Sequence, residues 1–216
     1  MNETAALVAA LNTSWFATGL SERAQTRLAE LGRRFTAEPG TELFREGETS
    51  DTFGILVHGR VALRTLVPED DPSIRAEMTE IAPGIRGYLV RPAAEGTYPA
   101  VLVIHENRGL NPHIKDVTRR MAKEGFIAFG GDYLTAKGGT PDDADKARDM
   151  IGELKAEEPV AFSQAAVAAL AKLPGSNGKV GAIGFCWGGG QVNALAVADA
   201  GLAAGVAYYG RQAATA

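Results

Sequence analysis

One residue type in this chain is present once and sits where chemistry could be done. Cys186 lies in the stretch GAIGFCWGGG over residues 181–190, with Gly184 two residues before it and Gly188 two after. Paired glycines at that spacing let the backbone turn sharply from a strand into a helix and lift the residue between them clear of the sheet. A cysteine so placed at a helix N-terminus is an acyl acceptor, because the helix end favours the thiolate, which is the attacking species. A nucleophile also needs a group to take its proton. The three histidines, His58, His105 and His113, all precede Cys186. The second cluster is VIHENRGL at 103–110, a polar pair, His105-Glu106, at the end of an apolar strand-like run.

The elements that must position these groups change character near residue 70. Before it, Ser21 caps a helix with Ala24, Leu28 and Leu31 on its apolar face. Short strand-like runs follow between residues 35 and 64, broken by glycines at 40, 47 and 59, as in a small antiparallel roll. The charged, proline-bracketed stretch 68–73 forms a junction, so two domains are expected, 1–70 and 71–216. After the junction the pattern becomes α/β. Segments 74–81 and 85–91 read as an antiparallel pair, and 100–105 as a central strand buried on both faces. Asn111 and Pro112 open a helix that ends at Gly125, and a strand follows at 126–130. Helix starts at 140–143, with Asp142 and Asp143 at the positive end, and an alanine-rich helix at 160–173 come next. Segment 179–185 is a strand, 188–200 a helix and 203–209 a strand, which together imply a parallel sheet covered by helices.

Residues 74 to 212 resemble the dienelactone hydrolase family. The matching segments are VIHENRGLNPHI at 103–114, GDYL at 131–134, GGTPDD at 138–143, KVGAIGFCWGGG at 179–190 and VAYYGRQ at 206–212. The resemblance implies an α/β-hydrolase fold that acts on small esters or enol-lactones. It makes Cys186 the nucleophile and Glu106 the glutamate that pairs with the resting thiol. The backbone N–H groups of Asn107 and Trp187 are the expected oxyanion donors. It also implies an acid and a histidine later in the chain. After Cys186 the 216 residues contain Asp199, too early for that acid, and no histidine. The chain stops just past the strand 203–209, so the fold is expected to be incomplete at its C-terminus. Acylation without sustained turnover is then expected, as is self-association through the uncovered apolar edge of that strand. Lys137 is the one cation close to GDYL, where the resemblance calls for a substrate-binding arginine.

Roughly residues 5 to 68 resemble the first half of a cyclic-nucleotide-binding domain of the catabolite-activator type, on FTAEPGTELFREGE at 35–48 and FGILVHGRVAL at 53–63. The segment that would hold the cyclic phosphate does not follow. A sensing module, against which that missing segment argues, and a non-catalytic remnant are the alternatives to a hydrolase. Bland readings suffice elsewhere: a core contact for Trp15-Phe16, a solvated helix start for Asp142, Asp143 and Asp145, and surface pairs for Arg33-Arg34 and Arg119-Arg120. Gly188-Gly-Gly190 lacks the lysine of a phosphate loop. No cofactor and no metal are expected. The net charge of -4 gives no reason to expect nucleic acid as a partner. A single cysteine, no signal-like N-terminus and no apolar run of membrane-spanning length fit a cytoplasmic protein.

Overall fold

The computed structural model describes residues 3–12, 19–38, 41, 43, 67–198 and 201–212. The chain divides into two compact units, Met1–Ala62 and Leu63–Ala216. In the first, α1 (Glu3–Asn12) and α2 (Glu22–Leu31) pack through Leu7, Val8 and Leu11 against Leu28 and Ala29. Ser21 caps α2 as its position predicts, its hydroxyl accepting from Ala24 N–H at 3.3 Å. Leu31, expected on the apolar face, is instead 72% exposed, and Ala29 takes the buried place. Residues 32–38 carry no regular structure, so the first strand of the expected roll does not form there. Most of the remaining roll, and Trp15-Phe16, lie outside the described residues.

The second unit is a six-stranded mixed sheet in the order β1-β2-β4-β3-β5-β6. The strands are β1 (Ile74–Ala82), β2 (Ile85–Pro92), β3 (Tyr98–Ile104), β4 (Ile127–Gly131), β5 (Ser176–Phe185) and β6 (Ala204–Tyr208). β1, β2 and β4 pair antiparallel in turn, while β4, β3, β5 and β6 run parallel. Alternation along β3 divides its side chains between two cores. Val101 and Val103 join Ile114, Val117 and Ala122 of α3 (Pro112–Lys123) on one face. Leu102 and Ile104 join Ala147 and Ile151 of α4 (Ala144–Gly152), Ala166 and Leu170 of α5 (Glu157–Leu170), and Val192 and Leu195 of α6 (Trp187–Ala198) on the other.

Local chemistry sets the element ends. Asn111 accepts from Ile114 N–H at 3.0 Å to start α3, with Pro112 in its first turn, and Gly125 follows the helix at φ +87°. α4 is capped by Asp143, which accepts from Asp145 and Lys146 N–H. Thr140, read in sequence as part of that start, is held by Asp132 instead.

The junction is built differently from its sequence reading. Arg119 is not a surface residue; it is 2% exposed. Its Nε donates to the Val67 carbonyl, one terminal nitrogen donates to the Tyr88 hydroxyl at 3.1 Å, and the other lies 3.7 Å from Asp116. Asp116 in turn accepts from Val67 N–H at 3.0 Å. A buried charge persists only when its hydrogen bonds are supplied, and here the backbone of residue 67 supplies part of them. Arg119→Leu should therefore lower stability by roughly 3 kcal/mol, the cost of breaking a buried pair. Arg148→Leu, at an exposed ion pair, should change it by less than about 0.5 kcal/mol. Urea unfolding of the two variants measures the difference.

Candidate active site

Three parallel strands end side by side, and each delivers one group. Ile104 of β3 pairs in register with Gly184 of β5, and Phe185 pairs with Tyr208 of β6. The residues that follow, Glu106, Cys186 and Tyr209, thus emerge at the same carboxyl edge of the sheet. That edge is where ligands bind in parallel α/β sheets.

Cys186 occupies the turn expected of it. Its φ is +53°, in the left-handed region that a side-chain-bearing residue rarely adopts, and the residue is exposed. Its N–H donates to the Tyr208 carbonyl at 3.0 Å and its own carbonyl accepts from Gly190 N–H at 3.1 Å. The flanking glycines are required by space. A Cβ on Gly184 would run into the Gly188 carbonyl, and one on Gly188 into the carbonyls of Ile104 and His105. Trp187 is the first residue of α6, so its N–H has no partner within the helix. Asn107 lies in the turn after β3.

His105, which could have been a solvated strand end, is fully buried. Its ring stacks on Trp187 at 5.4 Å and meets Tyr133 edge-on at 5.2 Å. Nδ1 lies 2.6 Å from the Glu106 carbonyl, which can only accept, so Nδ1 carries the proton. Nε2 has no hydrogen-bond partner among the described residues. Burial pushes the imidazole pKa down to about 4, so the ring is neutral at physiological pH. His105 therefore ties the Glu106 turn to the aromatic contact beneath α6.

The same turn is pinned at its far end. Leu110 N–H donates to the Thr140 hydroxyl at 2.9 Å, which donates to Asp132 at 2.8 Å; Asp132 also accepts from Thr140 and Leu134 N–H. Two residues of this site were not found in the sequence. Asp132 was visible only as part of GDYL, and Tyr209 only as part of VAYYGRQ. The hydroxyl of Tyr209 donates to Glu106 Oε1 at 3.3 Å. Asp199, too early in the sequence for the implied acid, lies outside the described residues. Lys137 is paired with Glu153 at 2.7 Å. No group of three or more metal-ligating side chains occurs among the described residues, and no described helix is long and apolar enough to cross a membrane.

The dienelactone hydrolase family profile matches residues 85–216, which contain all of these groups. This chain belongs to the dienelactone hydrolase family. It is 50% identical over 101 residues to the "putative hydrolase fragment YghX" of Escherichia coli (strain K12), a match covering 44% of this chain and 86% of that one. It is 38% identical over 112 residues to a "putative carboxymethylenebutenolidase" of Synechocystis, covering 49% of this chain and 46% of the relative. Among solved structures, the dienelactone hydrolase-like promiscuous phosphotriesterase P91 from metagenomic libraries is 31% identical with a TM-score of 0.55, covering 65% of this chain and 61% of P91. The Klebsiella pneumoniae structure titled as a "putative dienelactone hydrolase" gives 27% and 0.56, covering 66% of this chain and 62% of that one. The α/β-hydrolase fold is thus shared, and the chain spans about half the length of the Synechocystis relative.

The buried imidazole has a measurable consequence. Its folded pKa lies below the unfolded value of 6.5, so the unfolded chain binds more protons between about pH 6.5 and 4. Its stabilising contribution is complete above pH 6.5 and is lost as pH falls toward 4, by roughly 3 kcal/mol over the window. Urea midpoints measured at pH 7, 5.5 and 4 should fall for the wild type, and His105→Phe should remove that share of the slope.

Proposed function

We propose that this chain is a hydrolase-type acyl acceptor for small neutral esters and lactones, with Cys186 as its nucleophile. The observation that carries the reading is the exposed cysteine at positive φ, on the turn between β5 and α6. Its sulfur attacks the ester carbonyl carbon, an S–C bond forms, and the carbonyl π electrons move to oxygen. The backbone N–H groups of Trp187 and Asn107 are assigned to that oxyanion. Glu106 takes the thiol proton, and the proton passes to the alkoxide that leaves as the C–O bond breaks. A thioester on Cys186 results.

The preference for a neutral substrate rests on Lys137. This lysine, the cation beside GDYL, is paired with the exposed carboxylate of Glu153, which a substrate carboxylate would have to displace. Hydrolysis of the thioester needs a base to activate water. His105 is buried with Nδ1 committed, and no histidine follows Cys186 in these 216 residues. With p-nitrophenyl acetate the expected result is a burst near one equivalent of nitrophenol and a stable acetyl adduct by intact mass, both lost in Cys186→Ala. Sustained turnover would show that another base serves; no burst and no adduct would sink the assignment of Cys186.

β6 also presents a surface to account for. All five residues of β6 are exposed and none is charged, and among the described residues no strand pairs with its outer edge. Free backbone groups without repelling charge let a second copy pair there. Sedimentation is expected to show concentration-dependent association of the wild type, reduced in Val206→Lys. A wild-type monomer over the whole range would contradict this.

A further inference from the structure

The turn after β3 is fastened at two ends, by different groups. At the near end His105 donates through Nδ1 to the Glu106 carbonyl, and Gly188 lies against the carbonyls of Ile104 and His105. The far end is met by Thr140, whose hydroxyl accepts from Leu110 N–H at 2.9 Å. The same side chain packs on the residue before. A Cβ at Gly109 would run into Thr140 Oγ1, Cγ2 and Cβ, and Gly109 sits at φ +70°. Glycine is required there by space and by conformation. Asn107 lies between the two fastenings.

Thr140 is itself held at both of its donors by one carboxylate. Its N–H donates to Asp132 Oδ2 at 2.9 Å, and its hydroxyl donates to Asp132 Oδ1 at 2.8 Å. Asp132 is buried directly after the end of β4 and also accepts from Leu134 N–H at 3.1 Å. Its own N–H donates to the Arg86 carbonyl of β2 at 2.9 Å. A buried carboxylate taking three hydrogen bonds is a fixed post, because each bond is costly to leave unmade. The Thr140 hydroxyl carries that fixity across to the turn. It donates to the post and accepts from Leu110 with one oxygen, which a hydroxyl can do and a methyl cannot.

We propose that Thr140 is a positioning residue for acyl transfer: through Gly109 and Leu110 it fixes the turn that carries the Asn107 N–H assigned to the oxyanion. The proposal rests on the assignment of Cys186 and Asn107 made above. When the hydroxyl is lost the near end stays fastened, and the new freedom falls on residues 107–110. A donor that must be in place before charge develops is then misplaced part of the time, and the chemical step slows. Attack of sulfur on the saturated carbon of iodoacetamide builds no oxyanion, so that reaction should not sense the loss.

The test follows two reactions of Cys186 on the full chain: acylation by p-nitrophenyl acetate and alkylation by iodoacetamide. Wild type, Thr140→Val and Thr140→Ser are compared, with thermal melts to establish that each is folded. Thr140→Val should lower the saturating acylation rate about tenfold, where outright loss of an oxyanion donor costs about 100-fold or more. Its half-saturating ester concentration should be unchanged. Thr140→Ser keeps the hydroxyl and should restore the wild-type rate, and alkylation should be equal in all three. If Thr140→Val does not fold, Thr140→Ala is read in its place. A wild-type acylation rate without the hydroxyl, an equally slow Thr140→Ser, or alkylation slowed to the same extent overturns the proposal alone. No acylation of the folded wild type overturns it together with the acyl-acceptor reading.

Discussion

The backbone crossing at Gly188 is the contact on which the rest of the site depends. Its Cα lies against the carbonyls of Ile104 and His105, so the first turn of α6 sits directly on the end of β3. Gly184 faces Gly188 with the same lack of room, and Gly189 meets Gly210 and the Tyr208 carbonyl. These close approaches bring the ends of β3, β5 and β6 under one helix N-terminus. A single methyl group at position 188 would push α6 away from β3, and Trp187 would lose its stack on His105. The oxyanion assignment, the carboxylate and the thiol all depend on that distance being short.

The electrostatic character of the site follows from what surrounds it. α6 carries no charged side chain, so its N-terminus is a bare positive end beside Cys186. Against it stands Glu106, held by the Tyr209 hydroxyl on its side chain and by His105 on its carbonyl. Histidine, usually the proton carrier in such a site, is here a neutral aromatic ring whose role is packing and backbone orientation.

Much of this was legible in the sequence, for identifiable reasons. The elbow could be read because glycine is the sole residue that fits at 184 and 188, and α3 because Asn111, Pro112 and Gly125 mark both its ends. The strands from 74 onward could be read because alternation or continuous apolarity repeats over their length. Arg119 was misread because a buried arginine looks like a surface one until its partners, Val67 and Asp116, are brought together by the fold. His105 likewise gives no sign of burial in the pair His-Glu; only the packing of Trp187 and Tyr133 against it does so. Tyr209 was passed over because its link to Glu106 spans 103 positions of chain, and no local pattern encodes a contact at that range.

Arg119 also sets where the α/β unit begins in an energetic sense. The family match starts at residue 85, yet the backbone of Val67 and the side chain of Glu69 complete the shell around a guanidinium buried between α3 and β2. A proteolytic fragment starting at residue 85 would keep every group of the site and lose β1 along with that shell. Its arginine would keep Asp116 and the Tyr88 hydroxyl but lose the Val67 carbonyl and Glu69, within α3, a helix that covers one face of the sheet. The smallest autonomous folding piece is therefore larger than the homologous one, and limited digestion should yield a resistant core that starts at or before Val67.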